Sequence, residues 1–189
     1  PLFRQRSGWK RIYPDLPGHG KTPGQDWIQN QDMILDVVLD FIDKVLPEQR
    51  FVLAGCSYGA YLARGIVLRQ LESVAGLLLE VPVIVQGAKR HAPSHLTLLA
   101  DPALASGLEP DVADFFQLAV IQDCKVADYI RDNLTSGTDT GDPVFQAKIR
   151  EIPENYTYSF DADELPKPFP APTLFIMGRQ DSVVGYRDA

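Results

Sequence analysis

The stretch Gly55-Cys56-Ser57-Tyr58-Gly59 decides the fold of this chain, because it stands between a strand pattern and a helix pattern. The residues before it, 50–54, are apolar and prone to β structure, as in a buried parallel strand. The residues after it, 60–68, follow a helical pattern. The stretch therefore predicts a tight strand-to-helix turn that presents Ser57 at the C-terminal edge of a sheet.

Ser57 is the candidate nucleophile of this turn. A serine in a G-x-S-x-G turn is held in a strained backbone conformation that exposes its hydroxyl. A Cβ at either Gly55 or Gly59 is expected to collide with the backbone of the strand or the helix. Taken alone, the motif also permits an ordinary turn between strand and helix in which the serine has no role.

Composition and charge limit the classes of function. The 189 residues carry a formal net charge of -7 and are 45% hydrophobic, which suits one globular domain with a proper core. No run of basic residues is present to neutralise phosphates, so neither nucleic acid nor an anionic membrane is an expected partner. Cys56 and Cys124 are too few for a disulfide framework or a zinc site. Two free thiols, without a signal peptide or a membrane-length apolar run, predict a cytoplasmic protein.

A second motif precedes this strand-to-helix turn at 55–59, the elbow. Asp15-Leu16-Pro17-Gly18-His19-Gly20-Lys21-Thr22 follows a short strand candidate at 9–14. This D-x-P-G-H-G-x-T turn, followed by a helix, a strand and G-x-S-x-G, resembles the α/β-hydrolase superfamily. The resemblance implies an α/β fold with a mostly parallel sheet flanked by helices and a helical cap insertion. It also implies that His19 belongs to the turn and is not catalytic.

Further segments fit that fold. Residues 25–46 are predicted as a helix from apolar residues at three- and four-residue spacing, ended by Pro47. The apolar runs 74–81 and 173–177 are typical of buried strands. The alternating residues 156–160 also suggest a strand.

Residues 86–150 differ in pattern from the segments around them. Helical pieces are predicted near 94–100, 111–120, 125–134 and 143–150, with no strong strand between them. A helical insert between parallel strands resembles the cap of the family, which covers the site and excludes water. We therefore expect a first core part at 1–85, a cap at 86–150 and a second, truncated core part at 151–189.

Asp181 is the candidate acid of the site. In the family, G-x-x-D after a late strand carries the acid, and Gly178-Arg179-Gln180-Asp181 follows such a strand here. Glu80, at the end of the run 74–81, is the rival acid, because some members of the family place theirs there. A loop aspartate that caps the next helix is the structural alternative for Asp181.

Hydrolysis also requires a base and donors for the oxyanion. The resemblance assigns one oxyanion donor to the backbone N–H of Tyr58 and places the histidine base after the acid. The histidines of this sequence are His19, His91 and His95. The base is therefore expected outside this chain, with a cap histidine (His91 or His95) as the alternative.

The start of the sequence at Pro1 also leads to an expectation about strand pairing. In the family, a strand upstream of this point lies between two strands of the present sequence and is followed by the loop that supplies the second oxyanion donor. An empty slot would leave backbone groups unpaired, at about 1–3 kcal/mol each. We expect a fragment of a longer protein; the alternatives are a different pairing of the strands or a strand from another copy.

These features together predict a serine hydrolase that acts on a carboxylic ester or a related acyl or C–C substrate. Ser57 and Asp181 act with a histidine outside this chain, on a small-molecule substrate. The resemblance implies no metal or organic cofactor, and the oligomeric state stays open. The alternatives are a ligand-binding protein without turnover on the same fold, or an inactive fragment.

Overall fold

The structure, a computed structural model, describes residues 7–135, 137 and 140–189. Three parallel strands form a sheet in the order β1-β2-β3, with β1 at Phe51–Cys56, β2 at Val74–Glu80 and β3 at Thr173–Ile176. Cys56 lies opposite Glu80, and Glu80 lies opposite Ile176. The strands therefore end at one level, so the loops that follow them meet at the same edge of the sheet.

Helix α1, Gln31–Val45, begins later than its apolar pattern predicts. Asn30 is the N-cap, and its side-chain oxygen accepts a hydrogen bond from the backbone N–H of Met33 at 3.1 Å. The preceding residues form a turn closed by the N–H of Ile28 and the carbonyl oxygen of Gln25. The cap side chain therefore makes the helix begin later than its apolar periodicity predicts.

Helix α2, at Tyr58–Arg69, packs against β1 and β2, and α1 packs against α2. Buried apolar residues of both helices, of β2 and of the turn between α2 and β2 form the main core: Leu35, Val38, Ile42, Ala60, Ala63, Ile66, Val67, Leu71, Val74, Leu77 and Leu79. The apolar stripe of α1 is packing surface, as its spacing predicts. The predicted α/β fold with parallel strands flanked by helices is confirmed.

The chain between β2 and β3 carries short helices. They are a 3-10 turn at Gly87–Lys89, α3 at Pro102–Ala105, α4 at Pro110–Phe116, α5 at Cys124–Ile130 with a π turn at Arg131–Thr135, α6 at Pro143–Arg150 and α7 at Pro153–Tyr156. Aspartate side chains cap α3, α5 and α6 from Asp101, Asp123 and Asp142.

The prediction of a helix at 94–100 is wrong, because Leu99 instead forms a parallel bridge with Ile121. In the described part of the chain, no helix is long and apolar enough to cross a bilayer.

Two strand predictions are also wrong. Residues 9–14 form no strand, and the side chains of Trp9 and Tyr13 are exposed. Residues 156–160 end α7 and continue without a strand. The Tyr158 ring stacks on Tyr61 of α2 with ring centroids 4.4 Å apart, so this aromatic pattern serves a contact with a helix.

Strands β1 and β3 are more exposed than their apolar sequences predict. All residues of β3 are exposed, and among the described strands β3 pairs with β2 alone. Along β1, half-buried and exposed residues alternate. No strand among the described residues pairs with the second edge of β1, where the family resemblance implies a strand from upstream of Pro1.

Candidate active site

Ser57 lies between β1 and α2, in the strand–turn–helix context that the sequence predicts. Its backbone has φ 50° and ψ -110°, a combination that residues with a side chain rarely adopt. Its N–H donates to the carbonyl oxygen of Glu80 at 2.9 Å, and its carbonyl oxygen accepts from the N–H groups of Ala60 and Tyr61 at 3.1 Å. The end of β2 and the first turn of α2 together fix this strained serine.

The two glycines of the turn differ in their surroundings. A Cβ built at Gly55 would lie 2.4 Å from the carbonyl oxygen of Gly59, which is backbone and cannot move aside cheaply. A Cβ built at Gly59 would meet nothing within 4 Å. Close packing therefore requires a glycine at position 55, whereas the predicted collision at position 59 is wrong.

A cavity of about 380 Å³ lies beside Ser57. The described residues that line it come from the ends of all three strands and from the segment after α4: Ser57, Val81, Leu118, Val120, Gly178, Gln180, Asp181, Ser182, Val183 and Val184. The structure thus brings Ser57 and Asp181 to one cavity. Glu80, the rival acid, is not among these lining residues.

The described residues engage one oxygen of the Asp181 carboxylate. Its Oδ1 accepts hydrogen bonds from the backbone N–H groups of Val183 at 2.9 Å and Val184 at 2.8 Å. Asp181 therefore caps a turn of its own loop, whereas the alternative expected it to cap a following helix, and the described residues 182–189 contain no helix. Within the described residues, Oδ2 has no hydrogen-bond partner and is available to a histidine. One carboxylate can therefore cap its loop through Oδ1 and orient a histidine through Oδ2.

Both candidate acids affect the pKa of the Cys56 thiol. Burial raises the pKa of this partly enclosed thiol, and the negative charges of Glu80 and Asp181 raise the pKa further. Both carboxylates therefore lie close enough to the elbow to act on it electrostatically. Position alone separates them, since Asp181 faces the cavity and Glu80 supports the turn through its carbonyl oxygen.

Tyr58 is the first residue of α2, so its N–H is one of the donors that a helix leaves free at its N-terminus. Its phenol O–H donates to Oε1 of the fully buried Gln31 at 2.8 Å, and its ring stacks on Tyr156. Burial raises the pKa of the Tyr58 phenol, which keeps it a neutral donor. The side chain therefore anchors the residue that carries the candidate oxyanion donor.

The described histidines lie outside the cavity lining. His19 stays within its turn, where its Nδ1 is 3.1 Å from the carbonyl oxygen of Pro17. His91 Nδ1 pairs with Oδ1 of Asp188 at 2.7 Å. His95 Nδ1 lies 3.4 Å from the hydroxyl of Ser182, a residue of the cavity wall. Among the described residues, no hydrogen bond joins a histidine to Ser57 or Asp181, and no cluster of three or more His, Cys, Asp or Glu is placed to hold a metal ion.

Sequence reasoning missed two residues next to this site. Val81 lines the cavity with φ 38°, and no local pattern marks a valine for a left-handed backbone. Arg64, 8% exposed, donates to the carbonyl oxygens of Val83 at 3.0 Å and Ile84 at 3.2 Å and pairs with Asp163. A charge on the otherwise apolar face of α2 was the available signal for Arg64.

Comparisons with known proteins agree with this fold. The sequence model of the Alpha/beta hydrolase family matches residues 1–189. A solved crystal structure, that of an alpha/beta superfamily hydrolase from Oenococcus oeni PSU-1, is similar with a TM-score of 0.78 and 27% sequence identity. The match covers 92% of this chain and 64% of that chain, so the present chain spans less than two thirds of that hydrolase. No curated protein matches the sequence. The family and the structural neighbour support a hydrolase-type function.

Proposed function

The chain belongs to the alpha/beta hydrolase family, and from this premise we propose that it carries the nucleophile and the acid of a serine hydrolase. The substrate is a small carboxylic ester or a related acyl or C–C compound. The observation that supports this most is the strained Ser57 at the end of β1, with the carboxylate of Asp181 on the same cavity.

In this reaction the Oγ of Ser57 attacks the carbonyl carbon of the substrate while a histidine takes its proton. The negative charge that develops on the carbonyl oxygen is stabilised by the N–H of Tyr58 and a second donor. The histidine then protonates the leaving group, and water hydrolyses the acyl-enzyme. Asp181 orients the histidine through Oδ2, the oxygen that no described residue engages. In this proposal, the histidine and the second donor lie outside the 189 residues.

Residues 86–150 act as the cap in this proposal. Two of them, Leu118 and Val120, line the cavity together with residues that follow the three strands. They make this part of the wall apolar, and a cap of this kind excludes water from the acyl group.

The free thiols of Cys56 and Cys124 fit a reducing compartment, so we place the enzyme in the cytoplasm.

The test is an intact mass of the full-length protein before and after reaction with an alkyl fluorophosphonate. We expect one adduct, mapped to Ser57, and none in Ser57→Ala. The 189-residue chain, 21.0 kDa, is expected to react much more slowly because it lacks the base. An adduct that persists in Ser57→Ala would contradict the nucleophile assignment.

Two other outcomes lead to different functions. No adduct on the full-length protein, with ligand bound in the cavity, would indicate a binding protein on the same fold. Rapid labelling of the 189-residue chain would make a cap histidine the base. His91→Asn and His95→Asn would then identify which of the two it is, since His95 lies beside the cavity residue Ser182 and His91 is paired with Asp188.

A further inference from the structure

Val81 is a second strained residue at the candidate site. Strands β1 and β2 end opposite each other at Cys56 and Glu80, so the residues that follow, Ser57 and Val81, occupy equivalent positions. Both have a left-handed backbone, with φ 50° at Ser57 and φ 38° at Val81. For a β-branched residue such a φ is a genuine outlier, and strain of this kind persists where the surrounding structure enforces it.

Hydrogen bonds on both sides enforce this conformation. The N–H of Val81 donates to the carbonyl oxygen of Ile176 at the end of β3, at 2.8 Å. Two residues further, the N–H of Val83 approaches the carbonyl oxygen of Ser57 at 3.5 Å. The turn after β2 is therefore held between β3 and the strained serine, which fixes Val81 beside the nucleophile.

The chemistry of the cavity wall limits what it can take. Half of the described lining residues are aliphatic: Val81, Leu118, Val120, Val183 and Val184. No described lining residue is Lys, Arg or His, and the one charged side chain is the carboxylate of Asp181. An anionic group on the acyl chain would lose water here without gaining a cation, and would face a like charge.

We propose that Val81 is a specificity-determining residue of this site and that the site takes an uncharged, apolar acyl group. This inference rests on the proposed function and deepens it. The strained backbone fixes one aliphatic residue of the acyl-binding wall next to Ser57, so the volume at position 81 sets which acyl chain fits.

The first test uses turnover by the full-length protein on p-nitrophenyl esters from acetate to octanoate, with Val81→Gly and Val81→Ile. We expect each variant to change the ratio of kcat/KM for hexanoate to that for acetate by about tenfold, in opposite directions, because a few methylene groups discriminate by this order in an apolar pocket. Glu48→Gly is the matched control, since Glu48 also has a left-handed backbone, φ 55°, and does not line the cavity. It should leave the ratio unchanged. Ratios within twofold of wild type in both Val81 variants would overturn the inference.

A second test does not depend on turnover. In Ser57→Ala, binding of hexanamide and of adipic acid monoamide, which differ by a terminal carboxylate, is followed by 1H–15N shifts of the backbone amides around the cavity. We expect hexanamide to bind at least about tenfold more tightly, and Val120→Lys, which adds a cation to the wall, to reverse the preference. Equal binding of the two amides, or no binding of either, would overturn the inference. Absence of both turnover and a Ser57 adduct, with the binding preference intact, would instead overturn the proposed serine hydrolase.

Discussion

The backbone N–H of Ser57 donates a 2.9 Å hydrogen bond to the carbonyl oxygen of Glu80, the last residue of β2. This bond extends the pairing of β1 and β2 by one residue into the elbow, beyond the pair formed by Cys56 and Glu80. The candidate nucleophile is therefore fixed to the sheet and not only to its own helix. The same hydrogen bond gives Glu80 a structural role that does not require its carboxylate.

Gly55→Ala is expected to lower the stability of the fold, and Gly59→Ala is not. The methyl group at position 55 would lie 2.4 Å from the carbonyl oxygen of Gly59, so we expect a loss of about 1–3 kcal/mol in the free energy of unfolding. At position 59 the methyl group enters open space inside α2, and the change should be neutral or stabilising by up to about 1 kcal/mol. Urea unfolding followed by circular dichroism measures both. Equal losses in the two variants would contradict the packing at Gly55.

Tyr58 and Gln31 are expected to show a strong energetic coupling. Tyr58→Phe leaves the buried Oε1 of Gln31 without a donor, and Gln31→Leu leaves the Tyr58 hydroxyl without an acceptor. We expect each single change to cost about 1–3 kcal/mol, and the double variant to cost far less than their sum, because no buried polar group is then left unpaired. The measurement is a double-mutant cycle from denaturant unfolding. Additive losses would show that the hydrogen bond carries no coupling.

The pH dependence of Cys56 alkylation tests the electrostatics of the elbow. The raised pKa of the thiol means that, at a given pH, less thiolate is present than in the unfolded chain, so iodoacetamide should react more slowly and the rate should rise at higher pH. Cys124→Ser removes the other thiol. In that background, Glu80→Gln and Asp181→Asn should each shift the rate profile to lower pH, since each removes a negative charge. A profile that neither variant moves would place both carboxylates too far from the elbow.

Asp181→Asn and Glu80→Gln separate the two candidate acids in catalysis. If Asp181 orients the histidine, its asparagine variant should lower kcat of the full-length protein by about 10⁴-fold, because the amide favours the wrong histidine tautomer. Glu80→Gln keeps the carbonyl oxygen that accepts the Ser57 N–H, so we expect less than about a tenfold loss. Ester hydrolysis of both variants is the measurement. The reverse order of effects would assign the acid to Glu80.

Local patterns were sufficient for the elements around the elbow. The apolar run before Ser57, the helical run after it and the D-x-P-G-H-G-x-T turn resemble the hydrolase family, and that resemblance implied the parallel α/β fold that the sheet and the comparisons confirm. Patterns failed where a single side chain decides an element, as when Asn30 caps α1 and shortens it. They also failed where alternating aromatics serve another contact, as when Tyr158 stacks on Tyr61.

The amino-acid sequence by itself determined the strand, the turn and the helix around Ser57, because strand and helix periods and the need for Gly55 act over a few neighbouring residues. Only the tertiary structure decided what surrounds that serine. Asp181 reaches its cavity because β3 pairs in register with β2, and Val81 is strained because Ile176 and Ser57 hold its turn from two sides. Such constraints come from hydrogen bonds between distant segments, which leave no periodic signal in the segments themselves.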